Sequence, residues 1–74
     1  MGYYDEQRKV NIFLKDKFKA LITGDVKKLD IHKLVLELTT EHAMSKKYII
    51  GRINDLLIEY PIIVEKNGVL IKDE

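Results

Sequence analysis

The sequence predicts an α+β fold that is mainly helical, in which three helices precede a C-terminal β-hairpin. Apolar residues recur every three or four positions as far as Pro61, which is the period of an amphipathic helix. After Pro61 the period changes to two, and Asn67-Gly68 separates two runs rich in β-branched residues, as in a hairpin. We expect one domain, residues 1–74, since 74 residues leave little room for a second core.

The first helix is predicted over residues 5–23. Gly24 follows at the position where a helix C-cap is expected, and charged residues occupy many of the positions between the apolar ones. Six apolar residues define the buried side: Val10, Phe13, Leu14, Phe18, Leu21 and Ile22. The segment 25–29 that follows forms either a short strand or a connector.

Two further helices are predicted, each with a capping residue before it. The second, residues 31–40, begins after Asp30, whose carboxylate can accept hydrogen bonds from the free amides of the first turn. Its apolar residues are Ile31, Leu34, Val35 and Leu38. The third, residues 46–60, begins after Ser45 and ends before Pro61. Its buried stripe is Ile49, Ile53, Leu56, Leu57 and Tyr60, with Ile50 at the margin.

The hairpin is predicted over residues 62–72, with Asn67-Gly68 as a two-residue turn because both turn positions need positive φ. That turn pairs Lys66 with Val69, Glu65 with Leu70 and Val64 with Ile71. One face then carries Ile62, Val64, Val69 and Ile71, and we expect this apolar face to pack on the helices. The outer face carries Ile63, Glu65, Leu70 and Lys72.

This order of elements resembles the winged helix-turn-helix superfamily of DNA-binding domains. The resemblance covers about residues 10–72, and its specific part is Asp30–Leu38 followed by Met44–Leu57. In that family a serine often caps the recognition helix and an apolar residue four positions later anchors it, as Ser45 and Ile49 do in this pattern. The resemblance implies a DNA-binding protein, a small transcriptional regulator or replication accessory factor, whose third helix enters the major groove.

The resemblance assigns the DNA contacts to the third helix and to the tip of the hairpin. At 100° per residue, the helix face opposite the buried stripe carries Lys47, Tyr48, Gly51, Arg52 and Asp55. Lysines would neutralise phosphates, Tyr48 and Arg52 would contact base edges, and Gly51 would let the backbone approach the groove. The predicted DNA-binding residues are Ser45, Lys46, Lys47, Tyr48, Gly51, Arg52, Lys66 and Asn67.

The charge balance leaves a second function open. Thirteen basic and twelve acidic side chains give a net charge of +1, so DNA binding depends on where the lysines lie. Near-neutral charge also suits a winged-helix protein-interaction module of a larger replication, transcription or membrane-remodelling assembly. A continuous patch of Lys46, Lys47, Arg52 and Lys66 would favour DNA, whereas one of Ile58, Ile63 and Leu70 would favour a protein partner.

We also expect a homodimer on double-stranded DNA, because one short recognition helix supplies limited affinity. Two surfaces offer apolar residues for it: the first helix and the outer face of the hairpin. The residues concerned are Ile12, Phe13 and Phe18 in the helix, and Ile63 and Leu70 in the hairpin.

Several chemistries lack the residues that they need. The chain has no cysteine, which excludes disulfides, thiolate metal sites and cysteine nucleophiles. His32 and His42 are not spaced to place two metal ligands on one helix face, and no glycine-rich phosphate loop occurs. We therefore expect no enzymatic activity, metal or cofactor. Short apolar runs and a start without signal-peptide features predict a cytoplasmic protein without membrane association.

Overall fold

The computed structural model describes residues 2–73, and the side chains of residues 4–73. Its elements are α1 (Gly2–Thr23), β1 (Leu29–Asp30), α2 (Ile31–His42), α3 (Lys46–Glu59), β2 (Ile63–Lys66) and β3 (Val69–Lys72). The strands form one antiparallel sheet in the order β1-β3-β2. The predicted fold class, α+β with helices predominating, is confirmed, and the C-terminal hairpin fits a winged helix-turn-helix arrangement.

α1 begins at Gly2, three residues before the predicted start, and contributes four side chains to the core. An acidic residue in its first turn, Asp5, suits the positive end of the helix dipole. Phe18 is fully buried and Phe13 is half-buried, so neither offers the free dimer surface that was predicted. The buried core consists of Val10, Leu14, Phe18, Leu21, Leu29, Leu34, Val35, Leu38, Met44, Ile49, Ile53, Leu56, Ile63 and Leu70.

α2 starts as predicted but extends two residues further, to His42. The Asp30 carboxylate accepts a hydrogen bond from the backbone N–H of Lys33 at 3.2 Å. At the other end, His42 Nδ1 donates to the Glu6 carboxylate of α1 at 2.6 Å, a contact that stabilises the last turn. The helix stops at Ala43, whose φ of 52° lies in the left-handed region.

α3 has the predicted N-cap and ends one residue earlier than predicted. The Ser45 hydroxyl accepts a hydrogen bond from the backbone N–H of Tyr48 at 3.1 Å. At the C-terminus, the backbone N–H of Tyr60 donates to the carbonyl of Leu56 at 2.8 Å, and the chain then leaves the helix. Leu57 and Tyr60, predicted in the buried stripe, are half-buried and pack at its edge.

The hairpin has the predicted register, because every expected cross-strand pair is present. Asn67 and Gly68 have φ values of 55° and 79°, the two positive values that the turn requires. The segment after α1 ends in a two-residue strand, in which Leu29 pairs with Leu70 of β3. This strand resolves the choice between strand and connector.

The face of the hairpin that packs on the helices is the opposite of the one predicted. Ile63 and Leu70 are 2% and 0% exposed, whereas Ile62 is 44% exposed. The outer face therefore carries Ile62, Val64, Val69 and Ile71. As a result, the predicted protein-binding patch with Ile58 is not formed, and the predicted dimer surface on the hairpin is part of the core.

The polar residues of the inner face explain why this orientation is tolerated. Glu65 accepts a hydrogen bond from the backbone N–H of Gly68 at 3.2 Å, and Lys72 Nζ donates to the carbonyl of Ile22 at 3.2 Å. Lys72 thereby brings a cation to the C-terminus of α1, whose own last turn has no basic residue. Both polar side chains lie at the rim, where they have partners, while Ile63 and Leu70 fill the centre.

Candidate nucleic-acid interface

The start of α3 presents two lysines without a neighbouring acid in its first turn. Lys46 and Lys47 are both exposed, and Ser45 before them is engaged in capping. Basic residues at a helix N-terminus oppose the helix dipole, which favours acids there. The connection from α2 is only three residues long, so α2 and α3 are adjacent, as in a helix-turn-helix.

A groove of about 350 Å³ separates the start of α3 from the hairpin turn and the start of α2. Lys46, His32 and Asn67 line it together. The turn is held beside α2 by a hydrogen bond of 3.0 Å from the backbone N–H of Ile31 to the carbonyl of Gly68. We call this the hairpin-side groove.

The two acidic side chains of the hairpin-side groove already accept backbone hydrogen bonds. Asp30 caps α2 and Glu65 accepts from the turn. Lys46 forms no salt bridge among the described residues, so its ammonium group is available to a ligand. Lys66, at the end of β2, is exposed but does not line this groove.

Two of the predicted base-contacting residues lie on the other side of α3, against α1. Arg52 Nε donates to Asn11 Oδ1 at 2.8 Å, and Arg52 Nη1 donates to the Asp55 carboxylate at 2.9 Å. The Tyr48 hydroxyl also points at Asn11 Oδ1, at 3.4 Å. Both side chains are half-buried, so a base contact would require Arg52 to give up these partners.

The cleft between α1 and α3, which we call the α1-side groove, has a volume of about 380 Å³. Arg8, Lys15 and Arg52 all line it. Lys15 lies 3.9 Å from Glu59, so two of these three cations have an acidic neighbour on α3. The cations predicted as one patch are therefore distributed over different sides of α3.

The outward face of α3 carries an additional polar residue that was not predicted. Lys47, Gly51, Asn54 and Ile58 are exposed and follow one another at a spacing of three or four. A Cβ added to Gly51 would have no atom within 4 Å, so this face is open at that point. Asn54 could have been found from the wheel, since at 100° per residue it lies about 20° from Lys47 and about 40° from Ile58.

A second polar contact, away from α3, joins the start of α1 to the end of α2. His42 is half-buried there and donates to Glu6, which also lies 3.6 Å from Lys9. The hydrogen bond from His42 lowers the pKa of the Glu6 carboxyl below its ordinary value of 4.5; desolvation opposes the shift and the charge of Lys9 adds to it. This arrangement is a structural tie between two helices.

No three histidine, cysteine or acidic side chains of residues 4–73 cluster as ligands for a metal ion. None of the helices described is long and apolar enough to cross a membrane.

Comparison with known proteins adds no further constraint on the site. No protein-family model, curated protein or solved structure matches the chain.

Proposed function

We propose that the protein binds double-stranded DNA, with α3 in the major groove and the hairpin turn beside the backbone. The observation that carries this proposal is the hairpin-side groove, where Lys46, His32 and Asn67 meet next to the open face of α3. Lysines without acidic partners neutralise phosphates best, because they do not first have to break a salt bridge. A small transcriptional regulator or a replication accessory factor is the role that such a domain fits.

Within this proposal, the residues divide by the contacts that they already make. Lys46 and Lys47 would contact phosphates, and the open backbone at Gly51 would let the helix lie close to the groove wall. Asn54, on the same face, carries an amide that can pair with an adenine edge. Arg52 would act mainly by positioning α3 against α1 through Asn11.

The test measures binding to a mixed-sequence DNA duplex by fluorescence anisotropy at about 50 and 200 mM salt. The slope of log K against log salt concentration should be smaller by about one unit in Lys47→Gln, which corresponds to the loss of one phosphate contact. Lys19→Gln is the matched control, because Lys19 lies on α1, is exposed and, like Lys47, forms no salt bridge among the described residues. No binding by the wild-type chain at low salt, or an equal loss in both variants, would contradict the proposal.

A protein-interaction module is the second candidate, and it is favoured by a different observation. Ile58 is 80% exposed and Ile62 is 44% exposed, with the exposed Pro61 between them in the chain. The partner would bring an apolar surface to the C-terminal end of α3. Ile58→Ser, which adds no charge to this face of α3, should then abolish partner binding while leaving DNA affinity unchanged, whereas loss of DNA affinity would exclude an independent role for this residue.

A further inference from the structure

The outward side of α1 carries five exposed residues in a regular order, and two of them, Arg8 and Ile12, also line the α1-side groove. The set is Asp5, Arg8, Ile12, Asp16 and Lys19. At 100° per residue these five fall within about 80° of one another, on the side opposite the buried stripe. Ile12 is 53% exposed at the centre of the helix. None of the four charged members forms a salt bridge among the described residues.

The lysines at the two edges of this set are different, because they have partners within the chain. Lys9 lies 3.6 Å from Glu6, and Lys15 lies 3.9 Å from Glu59. Their charges are therefore partly compensated. The charges left without a partner on this side of α1 are the two acids and two bases of the set.

The charges of these five residues are arranged symmetrically about Ile12, so that each acid on one side has a base at the same distance on the other side. Counted outward from Ile12, the charged residues lie at equal separations in the two directions. Reversing the helix places Asp5 opposite Lys19 and Arg8 opposite Asp16, while Ile12 lies opposite itself. A two-fold interface uses the same patch on both subunits, so a patch must be self-complementary in this way to form one.

We propose that α1 pairs in antiparallel orientation with α1 of a second copy of this chain, about a two-fold axis at Ile12. The two isoleucines meet at the axis. With a rise of about 1.5 Å per residue, the Asp5–Lys19 pairs lie about 10 Å on either side of it. A contact between two helices is smaller than the roughly 800 Å² per partner of a standard interface, and exposed ion pairs are individually weak. The dimer therefore forms at high protein concentration and dissociates as salt is added.

Cysteine cross-linking tests the position of the axis directly, because the chain contains no cysteine. In Ile12→Cys the only two thiols of the dimer would lie at the axis, and mild oxidation should give a covalent dimer. Leu36→Cys is the matched control, since Leu36 is 59% exposed but lies on α2. Cross-linking of Ile12→Cys no faster than that of Leu36→Cys would overturn the proposal.

A charge exchange tests the pairing of side chains. Sedimentation equilibrium should show that Asp5→Lys and Lys19→Asp each weaken the dimer, by about fivefold, because each places like charges opposite one another. The double variant should recover the wild-type association, although it retains any effect of Asp5→Lys on the helix itself. A double variant as monomeric as the single ones would overturn the antiparallel register, and circular dichroism checks that α1 is intact.

Discussion

The two sides of α3 both present basic side chains, but these differ in what holds them. On the α1 side, Arg52 is bound by Asn11 and Asp55, and Lys15 lies beside Glu59. On the hairpin side, Lys46 lines a groove whose acids are occupied by backbone amides. The comparison teaches that existing partners, more than the number of charges, decide which cations are available to a ligand.

The largest difference between the two sides of α3 should be in the stability lost when an apolar side chain on each side is truncated to alanine. Leu56 lines the α1-side groove and is 2% exposed, so Leu56→Ala should lower the free energy of unfolding by about 2–5 kcal/mol. Ile50 lines the hairpin-side groove and is half-buried, so Ile50→Ala should lower the free energy of unfolding by less, about 1 kcal/mol. Urea denaturation measures both values, and equal losses would show that the two sides are equally packed.

Removing one cation from each side should separate stability from DNA binding. Arg52→Met should lower the free energy of unfolding by about 1 kcal/mol, because Asn11 and Asp55 lose a donor at a partly exposed site, and should leave the salt slope unchanged. Lys46→Met should change stability by less than about 0.5 kcal/mol and lower the salt slope by about one unit. A lower slope without loss of stability in Arg52→Met would place Arg52 among the phosphate contacts.

Filling the open position between the two sides should have opposite effects on folding and binding. Gly51→Ala should raise the free energy of unfolding by about 0.5–1 kcal/mol, since alanine favours the helix and meets no atom within 4 Å. If the α3 backbone lies against the groove wall, the same methyl group should weaken DNA binding. Thermal unfolding and anisotropy measure the two effects; stabilisation with unchanged affinity would mean that Gly51 is not in close contact with DNA.

The smallest effect concerns Glu6 of α1, whose carboxylate accepts the hydrogen bond from His42. The lowered pKa of Glu6 means that its ionised form stabilises the folded state above pH 4.5, and that this contribution is lost as the pH falls through the folded-state pKa. Glu6→Gln should therefore be less stable than the wild type at neutral pH, with a difference that shrinks below pH 4.5. The exposed Glu37→Gln should show little difference at either pH. A difference for Glu6→Gln that persisted in acid would show a role in packing alone.

Local chemistry was enough to predict the caps, the turn and the helical stripes. Asp30 and Ser45 cap α2 and α3 because their side chains reach amides within three residues of themselves. Asn67-Gly68 sets the hairpin register for the same reason, since the turn requires only its own two φ values. Of the candidate site, Ser45 as cap and the exposure of Lys46 and Lys47 follow from such local patterns.

Predictions that depended on distant neighbours were less accurate. Tyr48 and Arg52 were predicted on the outer face of α3. At 100° per residue Arg52 lies only about 40° from the buried Leu56, and Asn11, 41 residues before it in the chain, binds its side chain on the α1 side. The end of α2 depends in the same way on a contact between His42 and Glu6. A helical wheel contains the angle of a side chain but not the identity of the group that it meets.

Residue patterns alone were enough to predict the three helices, the N-caps of α2 and α3 and the register of the hairpin, because each depends on residues a few positions apart. Which face of the hairpin is buried depends on long-range packing, because both faces carry apolar residues and the face with Ile63 and Leu70 is the one that joins the core residues of the helices. The tertiary structure also decided which cations are free, because ion pairing depends on groups brought together from separate helices.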